Sequence, residues 1–104
     1  MEELSELTFP TFLQEHRVAL VDFFAPWCGP CRAIGPTIEA LAEEFSGRAG
    51  IAKCNVDGAD FLAQKYGVSS IPTLIFFRDG EVAETLIGSH TKEELSKILN
   101  RLLS

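Results

Sequence analysis

Seven consecutive residues, Val18-Ala19-Leu20-Val21-Asp22-Phe23-Phe24, are apolar apart from one carboxylate, and they restrict the possible folds more than any other stretch. A strand with water on one face alternates apolar and polar side chains, whereas a continuous apolar run belongs to a strand covered on both faces. Such a strand lies inside a sheet with helices above and below it, an α/β arrangement. Directly after it, from about Cys31 to Phe45, the residues Ile34, Ile38, Leu41, Ala42 and Phe45 follow helical spacing and mark one buried face. Pro36 lies within that helix and is expected to kink it. Gly47 and Gly50 bracket the exit, and Ile51 to Val56 reads as the next strand. Strand, helix and strand in this order predict a right-handed βαβ unit with parallel strands.

The remaining elements are shorter. Phe12 to His16 reads as a helix with Thr11 and Gln14 spaced as a capping box, and Asp60 to Tyr66 as another, with Gly67 at its C′ position. Thr73 to Phe77 and Val82 to Ile87 read as strands joined by Arg78-Asp79-Gly80-Glu81, where the Asp-Gly pair suits a tight antiparallel hairpin. A last helix starts at Thr91, with Glu94 completing a capping box and Leu95, Ile98, Leu99, Leu102 and Leu103 as its apolar face. The expectation is a central mixed sheet of four or five strands with helices on both faces. At 104 residues, with no repeat, low-complexity tract or linker, the chain reads as one domain, 1–104.

Eight Phe among 46% hydrophobic residues supply enough apolar volume for a core without staples. A formal net charge of −6 argues against nucleic acid or an anionic membrane as partner. The acidic start, Met1-Glu2-Glu3-Leu4-Ser5-Glu6, lacks the basic and apolar regions of a secretory signal, so a cytoplasmic protein is expected. No apolar run approaches the roughly 18 residues of a membrane span. Three cysteines cannot form a fully paired scaffold, which favours a catalytic or metal role over a structural one.

Two of them, Cys28 and Cys31, fall in Trp27-Cys28-Gly29-Pro30-Cys31, where the apolar strand ends and the long helix begins. Residues i and i+3 in a first helical turn lie about 5 to 6 Å apart at Cα, within the range of a disulfide. By spacing alone the pair suits a weak staple, half of a zinc site or a redox couple. Zinc needs four ligands, and only Cys54, His16 and His90 remain to supply them, none in a second paired motif. The two histidines read as surface residues. A redox couple needs a thiolate, which the unpaired N–H groups and positive dipole end of a helix N-terminus stabilise. Cys28 sits at that end, on the more exposed side, and is read as the attacking nucleophile; Cys31, one turn inward and better shielded, is read as the resolving thiol. Pro30 suits a first turn and Gly29 leaves the approach to sulfur open.

Asp22 is the second anomaly. On an edge strand it would face water; in a central strand, burial raises its pKa and makes it an acid/base near neutral pH. Such a group can take the proton from Cys31, with Lys53 on the neighbouring strand as a charge that biases it. Ile71-Pro72-Thr73 is the third feature. Most such bonds are trans; a cis bond would expose the Ile71 backbone for strand-like pairing with a peptide.

Taken together, Trp27-Cys28-Gly29-Pro30-Cys31, the preceding Val21-Asp22-Phe23, Ile71-Pro72-Thr73, Gly80 and Gly88 resemble the thioredoxin family in order and spacing over nearly the whole chain. The resemblance implies a thioredoxin-like fold and a general protein disulfide reductase. It further implies that Cys28 attacks the substrate disulfide, Cys31 displaces the reduced product, and Asp22 assists with Lys53 nearby. Pro72 is expected to be cis, and Trp27, Gly29, Pro30, Ile71, Pro72 and Gly88 to form the apolar surface that docks substrates. Members of the family carry no bound cofactor beyond the redox-active pair, and a thioredoxin reductase recycles them. The expected partners are therefore that reductase and disulfide-containing proteins, met by a monomer. Gly29-Pro30 separates the chain from relatives with Gly-His or Pro-Tyr there, which tend towards oxidase, isomerase or glutathione-linked work. Phe24 stands where many members have a second Trp, Arg32 where Lys is common and Pro26 where an acid is frequent; Cys54 is extra and reads as a buried strand residue. The competing reading, from a different class, is a binding or chaperone subunit that uses the same apolar surface without redox turnover.

Overall fold

The computed structural model describes residues 1–104, which form β1 (Glu2–Leu4), α1 (Phe9–Glu15), β2 (Val18–Phe24), α2 (Gly29–Glu44), β3 (Gly50–Asn55), α3 (Asp60–Lys65), β4 (Thr73–Arg78), β5 (Glu81–Ile87) and α4 (Lys92–Leu103). The strands make one sheet in the order β1-β3-β2-β4-β5. The apolar run of β2 thus occupies the centre, parallel to β3 and antiparallel to β4. β5 returns antiparallel to β4 through a two-residue turn in which Asp79 (φ 54°) and Gly80 (φ 80°) both adopt the left-handed conformation that hairpins of this length require.

Strand pleating divides the apolar side chains between two cores. Val18 and Leu20 of β2 and Leu74 and Phe76 of β4 pack under α2 and α4 with Ile34, Ile38, Leu41, Leu95 and Leu99. Ala19, Val21, Phe23, Ile75 and Phe77 face the other way, with Phe9 and Phe12 of α1 and Leu62 of α3. Helices cover both faces, as the unbroken hydrophobic run demands. The same parity sends Asp22 to the face that α2 covers.

Several boundaries differ from expectation. β1 was not anticipated: three residues with one buried side chain, Leu4, are too few to show a period, yet they pair in parallel with β3 along Glu2–Ala52, Glu3–Lys53 and Leu4–Cys54. α1 begins at Phe9, three residues before the expected start, because Pro10 lies in its first turn, where a missing N–H costs nothing. Thr11 and Gln14 consequently lie inside the helix, and the entry is organised instead by Ser5 and Thr8, whose side chains bond each other's backbone N–H. α2 starts at Gly29 rather than Cys31 and continues through Pro36, where the Arg32 carbonyl loses its N–H partner. α3 ends at Lys65 as a Schellman motif, with Gly67 N–H on Gln64 O and Val68 N–H on Ala63 O. The histidines are half-buried rather than free surface groups: the His16 ring packs 4.7 Å from that of Phe12 and abuts Gly50, where a Cβ would collide with it.

Candidate active site

Cys28 is the N-cap of α2, with extended backbone (φ −88°, ψ 116°) and a carbonyl that accepts the first helical bond from Arg32 N–H at 3.2 Å. Its Sγ accepts a hydrogen bond from the Cys31 N–H at 3.2 Å, so a sulfur fills the role that Ser or Asp oxygens have at other helix starts. A sulfur at this position gains charge in a field that favours the anion. Pro30 occupies the first turn and leaves no N–H unmet. One helical turn brings Cys28 and Cys31 to a Cα separation of 5.3 Å, and they are joined as a disulfide.

The two cysteines are equally buried, at 6% and 5% exposed, so shielding does not distinguish them as the sequence suggested. Their surroundings do. Cys28 Sγ lies 3.9 Å from the Ile71 carbonyl oxygen, on the side where Ile71–Pro72 forms a cis peptide. Cys31 lines a cavity of about 300 Å³ together with Asp22, Lys53, Arg32 and Glu39. Gly88 (φ 87°) donates its N–H to the Pro72 carbonyl at 2.9 Å, so the β5–α4 turn is tied to the segment beside Cys28.

Asp22 is 4% exposed, and its Oδ1 has no hydrogen-bond partner. Burial pushes its pKa up to about 6, and the positive charge of Lys53 moderates the rise. Parallel pairing of β2 with β3 sets Lys53 directly opposite Asp22, and the Lys53 ammonium lies 5.2 Å from the centre of the Phe24 ring. The carboxyl, its counter-charge and Cys31 thus share one cavity behind the disulfide.

Trp27, 67% exposed, is held at the surface by its indole Nε1–H, which donates to Asp57 Oδ2 at 3.0 Å. Arg32 donates from Nη1 to the Pro26 carbonyl at 2.9 Å, so two of the residues that depart from the family pattern meet each other. Sequence reasoning missed both contacts. Asp57 and Trp27 are thirty residues apart in loops that only the fold brings together, and the only local signal was the Asp-Gly turn after β3. Cys54 is fully buried with Leu4, Ala52 and Phe23, in a different apolar cluster from the pair. No three His, Cys, Asp or Glu side chains are grouped as metal ligands would be. No helix is long and apolar enough to cross a membrane.

A cysteine couple held at bonding distance by a single helical turn defines a dithiol–disulfide exchange protein on an α/β sheet. Comparison with known proteins narrows the class. The family model described as Thioredoxin matches residues 1–101. The chain is 42% identical over 105 residues to thioredoxin from Porphyra purpurea, covering 97% of this chain and 98% of that protein. It is 47% identical over 89 residues to thioredoxin from Staphylococcus aureus, 86% of each. It is 40% identical to the chloroplastic M-type thioredoxin of Spinacia oleracea, of whose length it spans 58%. Among solved structures, a mutant thioredoxin from Halobacterium salinarum superposes with a TM-score of 0.91 at 34% identity, over 99% of this chain and 90% of that one. The chain belongs to the thioredoxin family. Its activity is that of a protein disulfide reductase working through the Cys28–Cys31 pair.

Proposed function

We propose that residues 1–104 act as a single domain in which Cys28 and Cys31 perform unequal steps. In the reduced protein, the Cys28 thiolate attacks a substrate disulfide, forming a mixed disulfide and releasing one substrate thiolate. The Cys31 thiol then gives its proton to the Asp22 carboxylate and attacks Cys28 Sγ. The second substrate thiolate leaves and takes up a proton, and the two electrons of the dithiol have passed to the substrate. The observation that carries this reading is the pairing of environments: Cys28 Sγ accepts a helix N-terminal N–H, while Cys31 shares a cavity with Asp22. A cavity of that size admits water, which gives the proton a route. Lys53 supplies the charge that keeps Asp22 ionisable near neutral pH.

Substrates dock on the surface of Trp27, Gly29, Pro30, Ile71, Pro72 and Gly88, where the Ile71 backbone offers strand-like pairing beside Cys28. The pair itself is the electron store, and no bound cofactor takes part. A thioredoxin reductase returns it to the dithiol, and the protein works as a monomer in the cytoplasm on disulfide-containing proteins. Neither nucleic acid nor a membrane is a partner, in keeping with the net charge of −6. Reduced protein should accelerate the reduction of insulin disulfides, and Cys28→Ser should abolish that acceleration. Full activity in Cys28→Ser contradicts the nucleophile assignment.

A further inference from the structure

The turn that carries Gly88 is fastened by a histidine whose two ring nitrogens both face acceptors. His90 Nε2 lies 3.3 Å from the Ile87 carbonyl oxygen, which can only accept, so a hydrogen bond there requires the proton on that nitrogen. His90 Nδ1 lies 3.5 Å from Glu94 Oε2. The other oxygen, Glu94 Oε1, accepts the Thr91 N–H in the capping box of α4. That backbone bond, followed by the contact with His90, holds the Glu94 carboxyl below the usual carboxylate range, so Glu94 also offers only acceptors. A neutral imidazole has one N–H and can satisfy one of these partners; the imidazolium has two and satisfies both.

The bond to Ile87 reaches the docking edge through a single peptide group. The carbonyl that His90 grips and the N–H that Gly88 donates to Pro72 O at 2.9 Å belong to the same Ile87–Gly88 peptide. A charged donor on the oxygen polarises that group and strengthens the bond its N–H makes. Pro72 follows Ile71, whose carbonyl lies against Cys28 Sγ. The imidazole is 24% exposed, which limits screening of its contacts. Glu94 of α4 is the acidic group within ion-pair distance of it; Lys92 of α4 is turned to Glu44 of α2, and Arg101 of α4 to Glu84 of β5.

We propose that His90 is a proton-operated clasp on the substrate-docking edge: the imidazolium ties Ile87 to Glu94 and tightens Gly88 on Pro72, and loss of a proton releases one side. The consequence for substrate rests on the docking surface proposed above, and His90 is a positioning residue that acts through the Ile87–Gly88 peptide. Protein substrates should therefore bind better at the acid end of the range over which histidine side chains as a class change charge, pH 5 to 8.

Amide NMR of uniformly labelled protein across pH 5 to 8 tests the clasp itself. The Gly88 amide resonance should move with the same midpoint as the His90 ring protons, and should stop doing so in His90→Gln. In His90→Lys, a permanent cation, it should remain near its low-pH position throughout, and this variant decides the matter should His90→Gln fail to fold. A Gly88 resonance that ignores the His90 midpoint, or that titrates identically in the variants, overturns the proposal. On the functional side, KM for a protein disulfide should rise by about two- to fivefold from pH 6 to 8 relative to His90→Gln, the range a partly exposed ion pair supports. Ile71→Asp separates the two readings. If it leaves that KM unchanged, the docking surface is wrong, and the clasp loses its effect on substrate. If it raises KM while His90→Gln keeps the wild-type pH dependence, the docking surface stands and the clasp falls.

Discussion

Asp22 is an acid that the fold makes harder to ionise, which sets a stability cost and bears on the kinetic role proposed for it. Its pKa of about 6 exceeds the 3.8 of an unperturbed group, so between those values the folded chain binds more protons than the unfolded one. Stability conferred by this site is therefore highest below about pH 4, falls as pH rises to about 6, and is level above that. Asp22→Asn should stabilise the oxidised protein at pH 7 by about 1 to 3 kcal/mol, a gain that vanishes below about pH 4 in denaturant titrations. The same variant should slow the resolving step most above pH 6, where wild-type Asp22 is a carboxylate able to accept a proton, and match wild type near pH 4 to 5. An unchanged pH–rate profile would remove Asp22 from the mechanism. Cys54 shows the opposite consequence of burial. Desolvation, reinforced by Glu3 and Glu6, pushes its thiol up to about 11, so it is protonated and shielded at neutral pH. Alkylation of the reduced native protein should stop at two thiols per chain; rapid reaction of three would contradict that placement. Asp22 was legible as one acid in an apolar run, and Lys53 as its neighbour once two parallel strands were inferred. The Trp27–Asp57 and Arg32–Pro26 contacts were not, because each depends on the path of a loop rather than on a period.

At the level of elements, β2, β4, β5, α3 and α4 lie within a residue or two of their expected bounds, whereas β1 was missed and the capping box expected at Thr11 and Gln14 falls inside α1. β2 has the boundaries expected of Val18 to Phe24 because seven side chains carry its signal, whereas β1 has three residues and takes its stability from pairing with β3. α4 begins at its capping box, with Thr91 Oγ1 accepting the Glu94 N–H at 3.1 Å and Glu94 Oε1 accepting the Thr91 N–H at 2.9 Å. Thr91→Ala should cost about 1 kcal/mol by thermal or denaturant unfolding. A cost near zero would mean that helix packing alone fixes this end. The N-terminus of α2 responds differently, because its cap is a sulfur of the redox pair. Cys28→Ser exchanges one capping acceptor for a better one, so the variant should lose the chemistry while keeping its helix, and far-UV circular dichroism should match that of the reduced wild type. The equal burial of the two sulfurs could not be foreseen from helical order, since Ile71 approaches Cys28 from a distant part of the chain and packs against the pair.

The whole molecule places this chemistry at one end of a rigid support. Strand order β1-β3-β2-β4-β5 puts β2 at the centre, and the two apolar cores on either side of the sheet fix the direction in which β2 delivers its chain to α2. That the fold surrounds β2 was legible from composition and period; that Ile71–Pro72 and Gly88 converge on the same end follows from the antiparallel return of β4 and β5, which only the sheet order shows. The central claim, that one sulfur attacks and the other resolves, is a claim about a covalent intermediate, and it is tested by trapping that intermediate. Reduced Cys31→Ser, mixed with a protein disulfide and mapped by mass spectrometry after digestion, should accumulate a stable mixed disulfide on Cys28. An adduct on Cys54, or no adduct while substrate is still turned over, would contradict the account.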